Sequence, residues 1–303
     1  MTDASKSAIA LSNVSKRYGA ITALDGIDLR IPAGQTIAIL GPNGAGKTTA
    51  VSLMLGLRRP SAGIVSVLGS DPRDPRTRTA LGAMLQTSGI PEHLQVREVI
   101  ELFRTYYPKP LDTDVLVAAC NLGDKLKARV TTLSGGQLQR LYFALAICGD
   151  PQIVLLDEPT VGLDVEARRA MSQTIQGIAR QGRTIVLTTH YLDEADALAD
   201  RIVVIDRGHI VADGSPAAIK ATVAKKRLAF TCEEPLDMTT FTSFTEGQLR
   251  RDGLSYELVT DSPEAILREL FARNVLITDL RVTGASLEEA FLQLTSHEVH
   301  HAA

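Results

Sequence analysis

The 303 residues carry 32 Lys+Arg against 35 Asp+Glu, a net charge of −3, with 45% hydrophobic and 22% charged residues. This composition excludes wholesale disorder, and the near-neutral balance excludes a nucleic-acid binder held by bulk attraction. At about 150 residues per domain, the length allows two domains, with enough core to dispense with disulfides or structural metals.

In chain order, the first residues, from Met1, contain an early acid and no apolar stretch, unlike a signal peptide. No apolar run approaches the roughly 18 residues that suggest a membrane span. Thr36–Leu40 reads as a strand, followed by a glycine-rich loop and a helical stretch, Lys47–Leu57. Leu81–Leu85 is a further apolar strand, and Gln86 stands at its exit. From Leu94 to Gly149 the pattern is mostly helical, which predicts an inserted helical lobe. Ile153–Leu156 and Thr184–Thr188 are buried strands separated by the helical stretch Val165–Arg180, and Ile202–Asp206 with His209–Ala212 forms a hairpin about Arg207-Gly208. Strand–helix alternation of this kind predicts a largely parallel sheet covered by helices.

A boundary is expected near Ala221–Arg227, dividing the chain into 1–221 and 222–303. The first part holds 24 basic and 22 acidic residues (+2), the second 8 and 13 (−5). Beyond the boundary, Arg227–Cys232, Ser255–Val259 and Val275–Val282 read as strands, and Pro263–Arg273 and Leu287–Leu294 as helices, a small α+β domain. The last residues, with His297, His300 and His301, read as a frayed polar tail and not as a metal site. Cys120, Cys148 and Cys232 are scattered, in no metal-ligand spacing, and are expected to be reduced thiols.

Three motifs carry chemistry. Gly41-Pro42-Asn43-Gly44-Ala45-Gly46-Lys47-Thr48-Thr49 fits G-x-x-x-x-G-K-[ST] between a strand and a helix. There, successive backbone N–H groups and a helix N-terminus surround a phosphate chain, Lys47 reaches the β/γ-phosphates, and Thr48 can ligate Mg2+. Asp157 and Glu158 follow the apolar strand Ile153–Leu156, at the sheet edge where ligands bind in open α/β folds. Asp157 can hold the Mg2+ and Glu158 can polarise an attacking water. Ser134-Gly135-Gly136-Gln137 opens a helix, with Ser134 as N-cap and exposed backbone donors that make a second anion site. One phosphate chain needs only one such helix end, so the second suits a nucleotide held by another subunit.

Together these elements resemble the nucleotide-binding subunit of ATP-binding cassette (ABC) proteins, from residue 7 to about 221 and with all motifs in order. The resemblance implies an α/β P-loop NTPase cassette: a mostly parallel core sheet, an antiparallel β subdomain and an inserted helical lobe. In this family two subunits sandwich two ATPs head to tail, each between the glycine-rich loop of one copy and Ser134–Gln137 of the other. By the same resemblance Tyr18 stacks on adenine, Gln86 contacts Mg2+ and the coupling surface, Asp164 lies in the loop crossing the dimer, and His190 contacts the γ-phosphate. Read from the residues alone, Tyr18 can be surface packing, Asp164 a helix cap, and His190 a structural strand-end histidine.

Met84-Leu-Gln86-Thr-Ser88, Val96-Arg-Glu-Val-Ile100 and Thr283–Thr295 resemble the drug and antibiotic-resistance ATPases that pair with type-2 permeases. A single cassette argues against tandem translation-linked relatives, and the missing heptad insertion against the DNA-repair and condensin relatives. Arg73, Arg76 and Arg78 make only a short solvated cluster, so no nucleic-acid partner is expected. The expected partners are ATP, a second copy and an integral-membrane permease, which places the chain peripherally on the inner face of the membrane. The alternative is a nucleotide-gated regulatory protein not coupled to transport.

Overall fold

A computed structural model describes residues 7–85, 89–223, 226–236 and 249–295. The chain divides into two compact units, Met1–Pro216 and Ala217–Ala303.

The first unit opens with two long strands, β1 (Ser7–Tyr18) and β2 (Ile21–Pro32), which with β4 (Ala62–Val67) form an antiparallel sheet of order β2-β1-β4. Between them in sequence come β3 (Thr36–Leu40) and helix α1 (Lys47–Met54), shorter than the expected Lys47–Leu57 because Gly56 turns the chain at φ 67°. Next follow α2 (Pro75–Arg78) and β5 (Leu81–Met84), then the helical lobe, built of α3 (Val96–Arg104), α4 (Thr113–Ala119), two 3-10 turns and α5 (Gly135–Ile147). The unit continues through β6 (Ile153–Asp157), α6 (Val165–Ala179), β7 (Thr184–Thr188), α7 (Leu192–Leu198) and the hairpin β8 (Arg201–Asp206) with β9 (His209–Gly214).

Six of these strands form the central sheet, in the order β5-β6-β7-β3-β8-β9. Its first five strands run parallel, and β9 is an antiparallel edge. Every residue of β3, β6 and β7 is buried, which is why they read as unbroken apolar runs and not as alternating ones. The helices show the complementary stripe: α6 buries Met171, Ile175 and Ile178, and α3, in the helical lobe, buries Val96, Val99 and Ile100. One apolar core, with Leu11, Leu29, Val51, Met54, Leu155 and Val203 among its members, runs from the antiparallel sheet through α1 to the central sheet.

Close packing also constrains backbone positions. A Cβ on Gly82 of β5 would lie 2.0 Å from the carbonyl oxygen of Ala146 in α5 and 2.9 Å from the Pro151 ring. Gly82→Ala is therefore expected to destabilise the first unit by about 1–3 kcal/mol, the usual cost of overpacking, read as a lower midpoint in urea unfolding. An unchanged midpoint would contradict that packing.

After α8 (Pro216–Ala221), the second unit contains β10 (Lys226–Cys232), β11 (Leu249–Asp252), β12 (Ser255–Thr260), α9 (Pro263–Ala272), β13 (Ile277–Thr283) and α10 (Leu287–Thr295). The strands form an antiparallel sheet, β11-β12-β10-β13. Leu228, Phe230 and Cys232 alternate onto one face and meet Tyr256, Leu258, Ile266 and Leu270. The Phe230 and Tyr256 rings stack at 5.5 Å, and the Tyr256 hydroxyl accepts from the Leu236 N–H at 2.8 Å. Cys120, Cys148 and Cys232 are free and buried, and burial pushes the Cys120 thiol up to about 12 and Cys148 to about 11. The histidine tail lies outside the described residues. No helix among the described residues is long and apolar enough to cross a membrane.

Candidate functional site

Strand order assembles the candidate site. β7 lies between β3 and β6, so the loops leaving these three strands emerge side by side at one edge. The loop after β3 is Gly41–Gly46, the residues after β6 begin with Glu158, and those after β7 include Thr189 and His190.

The glycine-rich loop is held by its neighbours. The N–H of Gly208, in the β8–β9 turn, donates to the Ala45 carbonyl at 3.0 Å, and the Asp25 N–H donates to the Gly208 carbonyl at 3.0 Å. Gly46, the residue before α1, has φ 113°, and a Cβ there would lie 2.5 Å from the Ala23 carbonyl oxygen. Both conditions require glycine. The loop and the start of α1 border a cavity of about 320 Å³ lined by Asn43, Gly44, Gly46, Lys47, Thr48, Thr49, Ala23 and Glu158.

Lys47 is almost fully buried, and its ammonium donates to the carbonyls of Gly41 at 2.7 Å and Pro42 at 3.0 Å. Burial lowers its pKa, while the nearby charges of Glu158 and Asp157 act in the opposite sense. The Asp157 carboxylate, 2% exposed, accepts from the Thr188 hydroxyl at 2.5 Å and lies 3.4 Å from that of Thr48. Both are hard oxygen donors of the kind Mg2+ prefers, so this pair fits such an ion.

Glu158 has φ 54°, uncommon for a residue with a side chain. That turn is secured by Thr188: the Glu158 N–H donates both to its carbonyl at 3.1 Å and to its hydroxyl at 3.0 Å. Thr188 thus orients both acids, one by the side chain and the other by the backbone. The sequence reading missed it, because only the pairing of β7 with β6 brings it to these acids. The His190 Nδ1 lies 3.7 Å from the Glu158 carboxylate.

The remaining expected residues lie elsewhere. Tyr18 ends β1, is 41% exposed and carries the Lys16 ammonium 5.0 Å above its ring; it does not line the cavity, whereas Ala23 does. Ser134 caps α5, accepting from the Gln137 N–H at 3.3 Å while its own N–H donates to the Gln137 side-chain oxygen at 3.0 Å, a capping box. None of Ser134, Gly135, Gly136 and Gln137 lines the cavity of their own chain. Asp164 caps α6 through the Ala167 N–H at 2.8 Å. Gln86 lies outside the described residues.

Comparison with known proteins agrees with this architecture. The ABC transporter family profile matches residues 24–161. The chain is 33% identical over 302 residues to Nod factor export ATP-binding protein I of Burkholderia lata, covering 96% of this chain and 98% of that one. It is 35% identical over 307 residues to daunorubicin resistance ATP-binding protein DrrA3 of Streptomyces coeruleorubidus, covering 96% of each. Among solved structures, it resembles an ATP-binding subunit of an ABC transporter with a TM-score of 0.64 at 26% identity, covering 71% of this chain and 92% of that one. It also resembles a dimeric ATP-binding cassette in a post-hydrolysis state bound to ADP and Pi, with a TM-score of 0.62 at 26% identity, over 68% and 98% of the two chains. With relatives of that identity aligned along nearly its whole length, the chain belongs to the ABC transporter family as an ATP-binding, ATP-hydrolysing subunit of the exporter type.

Proposed function

We propose that this chain powers export of a drug, antibiotic, lipid or polysaccharide through a separate membrane permease, by ATP-driven closure of two copies head to tail. The observation that carries this reading is the meeting of Lys47, Thr48 and Glu158 around one cavity, with Asp157 behind them 3.4 Å from the Thr48 hydroxyl. The relatives named for Nod factor export and daunorubicin resistance support the direction of transport. The chain itself then sits peripherally on the inner face of the membrane, held by the permease.

In this reading the backbone donors of Gly41–Gly46 and the N-terminus of α1 receive the phosphates. Lys47 exchanges its two carbonyl partners for phosphate oxygens. Tyr18 offers its exposed ring to the adenine. Thr48, Asp157 and Gln86 hold Mg2+, which when bound neutralises charge on the β- and γ-phosphates. Glu158 accepts the proton of the attacking water, and His190, beside it, contacts the γ-phosphate. Ser134, Gly135, Gly136 and Gln137 of the second copy complete the site, and Asp164 lies along the same interface.

The phosphate contacts made only by the closed pair give ATP its hold on the equilibrium, since a ligand shifts a population only by its differential affinity. Hydrolysis removes those contacts and lets the pair reopen. The helical lobe and the segment around Gln86–Tyr107 pass that movement to the permease.

The two-fold arrangement gives a decisive test. In a head-to-tail pair, one copy carrying Lys47→Ala and one carrying Ser134→Arg place both lesions in one site and leave the other intact. Each variant alone is expected to lack ATP-dependent dimerisation by size-exclusion chromatography, and the mixture to recover it. No recovery on mixing would sink the head-to-tail arrangement.

A further inference from the structure

We propose that Glu194 is a positioning residue for hydrolysis: its buried carboxyl ties the loop after Glu158 to the first turn of the helix that follows His190 and so fixes the two side chains against each other. The inference rests on the reading of Glu158 and His190 given above. Glu194 lies on α7, is 5% exposed, and belongs to none of the three motifs.

A hydroxyl from the loop after Glu158 reaches this carboxyl. Thr160, two residues past Glu158, donates to Glu194 Oε2 at 3.0 Å. The Glu194 N–H donates to the Tyr191 carbonyl at 3.1 Å, so the carboxyl stands on the turn that follows His190. The Thr189 hydroxyl accepts from the Tyr191 N–H at 3.0 Å, so His190 is bracketed on both sides. Thr160 and Thr189 are 1% and 2% exposed, which leaves little water to compete.

Arg168, on α6, spans the same gap by another route. Its guanidinium stacks 3.5 Å from the centre of the Tyr191 ring and donates to the Leu163 carbonyl at 3.4 Å. Tyr191 follows His190, and Leu163 belongs to the segment that leaves Glu158. Two side chains from two helices thus fasten the same two segments.

Stability alone does not account for this acid. Glu194 Oε1 and Arg168 Nε are buried without a hydrogen-bond partner among the described residues. A buried polar atom left unpaired costs free energy that an apolar side chain would avoid. Burial raises the Glu194 pKa, against the lowering effect of Thr189, Thr160, Arg168 and His190. What the carboxyl provides is an acceptor for the Thr160 hydroxyl, which no apolar residue supplies. The Glu158–His190 separation of 3.7 Å lies at the end of this bracket.

The test compares ATP turnover by the full chain carrying Glu194→Ala, Glu194→Gln or Glu158→Gln, with thermal melts of each. Removing the bracket is expected to lower kcat about 10- to 100-fold, as small misplacements of reacting groups do, with little change in KM. Glu194→Gln keeps an acceptor oxygen and is expected to restore turnover and to melt no lower than the parent. Should Glu194→Ala not fold, Thr160→Val removes the same hydrogen bond and is expected to lower kcat in the same sense. Parental kcat in the folded variants that lack this hydrogen bond would overturn the proposal, as would Glu194→Gln as slow as Glu194→Ala. Parental turnover by Glu158→Gln would instead overturn the site reading on which the bracket rests, a separate outcome.

Discussion

Glu158→Gln is expected to lower ATP turnover by about 10²- to 10⁴-fold, the usual contribution of a general base, while ATP binding persists. The substitution is nearly isosteric, so the φ of 54° and the two hydrogen bonds from the backbone N–H to Thr188 remain available. What disappears is the carboxylate proposed to take the water's proton. Because the phosphate contacts are untouched, the variant is expected to hold ATP and to accumulate as a closed pair. Phosphate release, nucleotide retention and elution volume on a sizing column measure these three consequences. Turnover at the parental rate would remove Glu158 from the role.

Lys47→Ala is expected to weaken ATP binding by about 2–5 kcal/mol, roughly 30- to several-thousand-fold, the usual cost of removing a buried charged partner. The ammonium is the nearly buried cation on the cavity wall, and its two carbonyl partners, on Gly41 and Pro42, keep it at the loop mouth. A phosphate oxygen offers the same cation a charge-assisted bond that a carbonyl cannot match. Fluorescent-nucleotide titration of the isolated chain reads this effect without any permease. Affinity within a few-fold of the parent would show that the loop backbone alone suffices.

These two residues illustrate what can be read from a linear sequence. The glycine-rich loop is legible because its chemistry needs consecutive backbone N–H groups, so the motif is contiguous. β3, β6 and β7 are legible because strands buried on both faces must be apolar throughout. The acids Asp157 and Glu158 stand out because they interrupt such a strand at its end.

The first two strands were far less legible. β1 pairs with β2 through several register shifts, so its inward-facing residues do not alternate and the period-2 signal fails. β11 is a four-residue strand, too short to read by pattern, and its place beside β12 is defined by pairing.

Thr188, Thr160, Thr189 and Glu194 carry no motif, and their importance comes from position. Thr188 reaches Asp157 because β7 pairs with β6 in a register that sets the two residues opposite each other. Glu194 meets Thr160 across 34 residues only because β6 and β7 pair in parallel and bring the segments that follow them to the same sheet edge. The sequence by itself determined the family, the nucleotide loop and the buried strands, since each depends on neighbours in the chain. The tertiary structure alone decided which strands lie adjacent, and therefore which hydroxyls orient the two acids and which buried carboxyl fastens the loops together. Hydrogen bonds of that kind depend on distance in space, and sequence separation leaves that distance undetermined.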